Sequence, residues 1–312
     1  MAIPTNAQTT YATTGNKEDL SNIIYKISPT KTPFLSGIAK VPADNTLHEW
    51  QTQELAAAAN NTAIEGDDAV ATAVTATVRL NNRAQISTKT IAITGTQISG
   101  MNPAGRKNEM AYQLSLKGEE IKRDMEFALT QNTVTITGNA TTARQLRGLE
   151  GWIATNSSLG AGGAAPNYGT NTAPTDGTAR AFTEAQLKSV LQLCYNEGGD
   201  PDTIMVSGSN KQTFSTFTGN STRFDKGEDK SLTAAVDVYV SDFGTLKVIP
   251  NRFQRSRTAF VLQMDMWALA TQRPLFTKEL GVTGDSEKRE LIVEYTLEAR
   301  QEKSSGVVRD LT

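Results

Sequence analysis

Histidine and cysteine are almost missing from this 312-residue sequence, in which His48 and Cys194 stand alone. One cysteine excludes an intrachain disulfide framework and points to a reducing compartment. One histidine leaves at most a single imidazole for the hydrolase, metal-centre and proton-shuttle chemistries that usually rely on it. No run of about 18 apolar residues occurs, so no membrane-spanning helix is expected. An excess of positive charge is absent too. Lys and Arg number 31 against 33 Asp and Glu, a net charge of −2. That is not the balance of a dedicated nucleic-acid binder, and any DNA contact would come from local patches. The opening residues MAIPTNAQTTYATT have neither a basic nor an apolar region, so no signal peptide is expected. The length suffices for one large domain or two ordinary ones.

What is present is organised around one helical pattern, Pro103 to Asn132. Asn102 is the expected cap, and Pro103 suits the first helical position, where a missing N–H is harmless. Ala111, Leu114, Gly118, Ile121, Met125 and Ala128 recur at steps of three and four and share a face. Charges of both signs surround them, with Glu119 spaced to meet Lys122 and Arg123. At ~1.5 Å per residue the pattern makes a rod of about 45 Å, longer than a small domain is wide. With one narrow apolar seam, it reads as a spine on which other layers hang rather than as a core helix.

Before it, residues 1–15 are polar and Thr-rich, an arm without periodicity. Asn16 can cap a short helix carrying Leu20, Ile23, Ile24 and Ile27, and Pro29 to Pro42 is an extended strap around Phe34, Leu35 and Ile38. From Thr46 to Thr94 the pattern is that of a long β-hairpin. Its return strand alternates at Val70, Thr72, Val74, Ala76, Val78 and Leu80, and a further segment carries Ile86, Ile91 and Ile93. A two-stranded ribbon this long has too little apolar surface to hold itself together, so it is expected to lie on another molecule. A hairpin packed on its own domain fits the pattern equally.

After the helix, Thr133–Thr137 suggests a short strand, Trp152 anchors a turn-rich segment, and 157–179 reads as a surface loop or linker. Thr183 and Gln186 form a capping box for a helix ending at Gly198-Gly199, and Ser209 with Gln212 suggests a second. Strands follow at 203–207, 236–240, 246–248 and 259–264, around a polar loop at 220–230. The last strand sets Leu291, Val293, Tyr295, Leu297 and Ala299 against an acidic face of Glu290, Glu294 and Glu298. Strands and helices mix without a regular βαβ beat, an α+β class.

None of this assembles an active site. Asp242-Phe243-Gly244 copies a kinase signature without its companion loops and reads as a turn between two valine-rich strands. Gly160-Ala161-Gly162-Gly163 neither follows a strand nor opens a helix, so it is a loop and not a phosphate cradle. Cys194 is in phase with Leu187 and Leu191, as a core cysteine would be. The carboxylate sets Asp200 with Asp202, and Glu65 with Asp67 and Asp68, read as a turn and a solvated tip. Sequons at Asn60 and Asn220 have no secretion signal beside them.

Several longer stretches carry a resemblance. They are NRAQISTKTIAITGT (82–96), AYQLSLKGEEIKRDMEFA (111–128), 147–156, GGDPD (198–202), SDFGTLKVIPNR (241–252) and TGDSEKRELIVEYTLE (283–298). The chain resembles, over nearly its whole length, the major capsid proteins of tailed bacteriophages with the Hong Kong 97-like fold. The resemblance implies an N-terminal arm at 1–45, an extended β-hairpin loop at 46–94 and a peripheral domain from 95–180 and 271–312 with spine helix 103–132. An α/β axial domain would span 181–270. It also implies a non-enzymatic shell protein without cofactor or metal. Copies would join as pentamers and hexamers in the host cytoplasm, with weak, non-specific contact to packaged double-stranded DNA. A portal and scaffolding or decoration proteins would be partners. No helical scaffolding segment precedes the arm, so a separate scaffold or a removed piece is expected. The candidate inter-subunit contacts are Trp50, Ile64, Arg79, Arg83, Arg123 and Asp124. An encapsulin-like nanocompartment shares the fold and is the alternative; a β-rich binding or adhesin module is a third reading.

Overall fold

The structure is a computed structural model, and it describes residues 29–68, 71–100, 108–217 and 238–312. The expected arm at 1–15, the helix from Asn16, the cap at Asn102 and Pro103, and the loop at 220–230 lie outside the described residues.

Among the described residues, two large sheets and a two-stranded ribbon organise the chain. The first has the order β1 (Ala39–Pro42), β10 (Trp267–Glu279), β11 (Ser286–Ala299) and β4 (Gln85–Thr94). β1 runs parallel to β10, whereas β10–β11 and β11–β4 are antiparallel, with Trp267 opposite Ala299 and Tyr295 opposite Gln85. The long helix α3 (Glu109–Thr130) packs on β4 and β11. The strap supplies a five-residue helix, α1 (Pro33–Gly37), whose Phe34 and Leu35 enter the same core as Ile121, Leu129, Trp152, Trp267 and Tyr295.

The second sheet has six strands in the order β5 (Ser157–Ser158), β12 (Gly306–Val308), β9 (Ala259–Leu262), β6 (Thr203–Val206), β8 (Gly244–Pro250) and β7 (Val238–Ser241). Helix α5 (Glu184–Asn196) and the short α6 (Gly208–Phe214) cover it, and Leu187, Val190, Phe214, Val261 and Val308 fill its core. β12 carries the chain end into this sheet, so the last residues of 271–312 join the unit built by 181–270.

Several expectations change. The long helix begins at Glu109, where Asn108 is extended and its side chain accepts from Ala111 N at 3.0 Å. Twenty-two residues at ~1.5 Å make about 33 Å, not 45 Å. Its buried side is Met110, Ile121, Met125, Glu126, Leu129 and Thr130, and Ala111 is exposed. The C-terminal half is thus a core helix after all. The hairpin is shorter: β2 (Leu47–Thr52) pairs with β3 (Val78–Arg83), Trp50 opposite Leu80, and the alternating residues Thr72, Val74 and Ala76 form no strand. β4 leaves the hairpin for the four-stranded sheet. The acidic face of β11 is covered as well: Glu294 and Glu298 are buried, Glu294 pairing with Arg144 and Arg273 and Glu298 with Arg300 and the His48 ring. The capping box at Thr183 and Gln186 forms, Thr183 N donating to Gln186 Oε1 at 3.2 Å, but the second helix is capped by Ser207.

Candidate functional site

The surface that stands apart is the arm above β2 and β3. Residues 53–68 and 71–77 adopt no regular structure beyond a turn in which Asp67 N donates to Ile64 O at 3.1 Å. All of them are exposed, and Leu55, Ile64 and Val74 keep 97%, 79% and 92% of their surface.

The base of the arm is the reverse, because polar groups fix it to the body. Asn82 is fully buried: its Nδ2 donates to Leu297 O (2.7 Å) and Arg147 O (3.2 Å), and its Oδ1 accepts from Arg147 N (2.9 Å). Arg147 lies over the Trp152 ring, with its guanidinium 5.3 Å from the centroid, and donates to Gly151 O and Asn171 Oδ1. Burial without a carboxylate lowers this guanidinium to about 10. Trp50 packs on Trp152 at 5.4 Å and donates its indole N–H to Ala299 O at 2.7 Å. The one histidine sits here too, His48 Nε2 lying 2.8 Å from Glu298 Oε2. His48 first, then Arg300, holds the Glu298 carboxyl below its ordinary range despite partial burial.

A second set of buried polar groups joins the two sheets. The Glu126 carboxylate on α3 accepts from Phe34 N (2.9 Å), Leu35 N (2.7 Å) and Asn251 Nδ2 (2.6 Å). Those amides open α1, where Thr32, at the cap position, makes no side-chain cap. A glutamate 92 residues away therefore caps the strap helix, with a residue beyond β8 as its third partner. Burial raises the Glu126 pKa, and the three hydrogen bonds offset part of the rise. Glu150, also buried, accepts from Arg255 (2.8 Å) and Arg309 (3.0 Å). Asp310 holds the 157–179 loop by accepting from Gly160 N (2.8 Å) and Gly177 N (2.7 Å). That segment is a pinned loop and not a linker.

The six candidate contacts divide accordingly. Trp50 uses its ring and its N–H within the chain, where it anchors the arm. Ile64 is free on the tip, and Arg79 is exposed beside Glu49 across the hairpin. Arg83 is half-buried at the end of β3. Arg123 lies 6.0 Å from the Phe253 ring, and Asp124 pairs with Lys89 of β4 at 2.7 Å. The structure does not gather these residues into one patch. Glu126, Asn82 and Arg147 do not stand out in the sequence; Glu126 lies at the edge of the α3 seam, about 60° beyond Leu129 on the helical wheel.

Chemistry finds no footing among the described residues. Cys194 is buried and its thiol is pushed up to about 12 by that burial, far from a reactive thiolate. No group of three metal-ligating side chains occurs among the described residues, and no described helix is long and apolar enough to cross a membrane.

The model of the SU10 major capsid protein family matches residues 5–312. A curated relative, the major capsid protein of Escherichia phage Phieco32, is 27% identical, and the match covers 96% of this chain and 95% of that one. Among solved structures, the Cyanophage A-1(L) capsid asymmetric unit is similar at a TM-score of 0.67, with 14% identity over 97% and 98% of the two chains. The SrpI encapsulin of Synechococcus elongatus PCC 7942 is similar at 0.54, with 12% identity over 93% and 92%. Fold alone therefore does not separate a phage head from a nanocompartment, and the family match does. The chain belongs to the SU10 major capsid protein family, a class of structural shell proteins and not of enzymes, and has the Hong Kong 97-like fold.

Proposed function

We propose that copies of this chain join as pentamers and hexamers into the icosahedral head shell of a tailed phage, with the arm at 53–77 lying on a neighbouring copy. The arm carries the reading. Leu55, Ile64 and Val74 lie exposed on a segment without regular structure. Covering side chains of this size is worth ~1.5–3 kcal/mol each, and a second copy supplies the cover. Ile64, Arg79 and Arg83 are the contacts proposed on the arm, and Arg123 and Asp124 those on the α3 flank.

In the proposed division, 1–45 is the N-terminal arm, 46–94 the extended loop, 95–180 and 271–312 the peripheral domain and 181–270 the axial domain, to which β12 adds. The shell would be assembled in the host bacterial cytoplasm, with a portal and a scaffolding or decoration protein as partners. It would enclose double-stranded DNA through weak, salt-sensitive and sequence-independent contacts, given the net charge of −2. Replacing 53–77 by a short Gly-Ser turn tests this. The expected product is a folded chain that forms no closed shells in negative stain; shells of normal size would refute the role of the arm.

A further inference from the structure

A cavity of about 350 Å³ opens at the C-terminal end of α5, lined by Leu191, Tyr195, Gly198, Pro201, Phe243 and Leu246. The core ends at Leu191 and Leu246, each 1% exposed, and beyond it two rings remain outside. Tyr195 and Phe243 stack at 4.8 Å and 29° while 61% and 39% exposed. Two carboxylates border them. Asp200 is part of the lining, and Asp242 precedes Phe243 in the tight turn between β7 and β8. Neither makes an ion pair among the described residues, and no basic side chain lines the cavity. The negative end of the α5 dipole points the same way.

Aromatic faces, unpaired carboxylates and a helix C-terminus all favour a cation. We infer that this groove is a docking site for an arginine side chain carried on a segment of a partner polypeptide. A guanidinium can stack on the exposed rings and fork toward a carboxylate at once, which an ammonium cannot do. The apolar walls at Leu191 and Pro201 suit the aliphatic stem. The groove residues Tyr195, Asp200 and Phe243 are separate from the contacts proposed on the arm, although Lys303 joins Glu54 at the root of the arm (2.9 Å) to Glu197 at the end of α5 (3.1 Å).

The test is an NMR titration of the full-length unassembled chain with acetyl-Gly-Arg-Gly-amide. Tyr195→Ala and Asp242→Asn should each weaken binding about two- to fivefold, as an exposed cation–π contact or charge pair would. Lysine in place of arginine should bind more weakly, and raising salt should shrink the Asp242→Asn effect. Both side chains lie outside the core, so unchanged melting temperatures should accompany these losses. Three outcomes overturn the inference: no saturable shift at concentrations on the order of 10 mM, wild-type binding by both variants, or spermidine binding with the same sensitivity to both. The last would make the groove a polyamine site and not a polypeptide one.

Discussion

Replacing Glu126 by alanine removes the acceptor for two α1 amides and for the Asn251 side chain at once. Each donor then sits buried without a partner, a loss of roughly 1–3 kcal/mol apiece. The three share one carboxylate and do not add, so about 3–6 kcal/mol is expected. Alanine is the better helix former, and that gain, a few tenths of a kcal/mol, does not change the sign. The most direct readout is native-state hydrogen exchange at Phe34 and Leu35, whose amides bond the carboxylate at 2.9 and 2.7 Å. Each 1.4 kcal/mol is tenfold in protection, so both amides should lose on the order of a hundredfold or more. Proteolysis should quicken within 29–42 as the strap comes away from α3. Glutamine keeps one oxygen but turns an NH₂ toward a donor, and should fall between. pH provides a second handle. The folded pKa of Glu126 is raised, so its contribution is fully present below the ordinary value of 4.5 and is lost as pH rises through the folded value. Wild type should therefore lose stability relative to Glu126→Gln across that window. Unchanged exchange at both amides in Glu126→Ala would show that α1 does not depend on the distant cap.

Glu298 works in the opposite sense. Its pKa is lowered, so its contribution is present above the ordinary value of 4.5 and lost as pH falls through the folded value. Glu298→Gln should flatten the acid limb of the stability curve, and His48, as the one histidine, gives an assignment-free NMR signal that should move in that variant. Trp50→Phe should cost about 1 kcal/mol by leaving the Ala299 carbonyl without its donor, measured by urea unfolding, and should increase exchange along β2. Reversing the charges at Arg123 and Asp124 together breaks a partly exposed pair with Lys89, worth at most ~1 kcal/mol. The expected outcome is a folded chain with defective assembly, read by light scattering; an unfolded chain would place Arg123 in the core contacts.

The sequence shows most where periodicity is strong. The apolar phase of β11, the capping box of α5, the strap and the C-terminal half of α3 are all visible in the order of residues. What escapes is what long-range partners decide. Asn108 caps α3, a choice that depends on where the chain turns into the helix and not on the side-chain type alone. The alternation of Thr72, Val74 and Ala76 is that of a strand, yet strands need a ladder partner, and among the described residues of this segment Val78–Arg83 finds one. Glu294 and Glu298 read as solvated because Arg144, Arg273 and His48, 150, 21 and 250 residues away, are invisible to a local pattern. Glu126 is the sharpest case. On a helical wheel it is one more charge beside an apolar seam, and only the fold brings α1 and Asn251 to it. The seat of Trp50 is equally hidden from a local pattern, because its tryptophan neighbour lies 102 positions further along the chain.

A cryo-EM reconstruction of particles formed by the wild-type chain, read at Leu55, Ile64 and Val74, tests whether the arm lies on a neighbouring copy. The expected result is a closed shell in which these three side chains are covered by an adjacent copy while Trp50 keeps its place on Trp152. A closed shell in which the arm stays in solvent, with no neighbouring copy against Ile64, would contradict it.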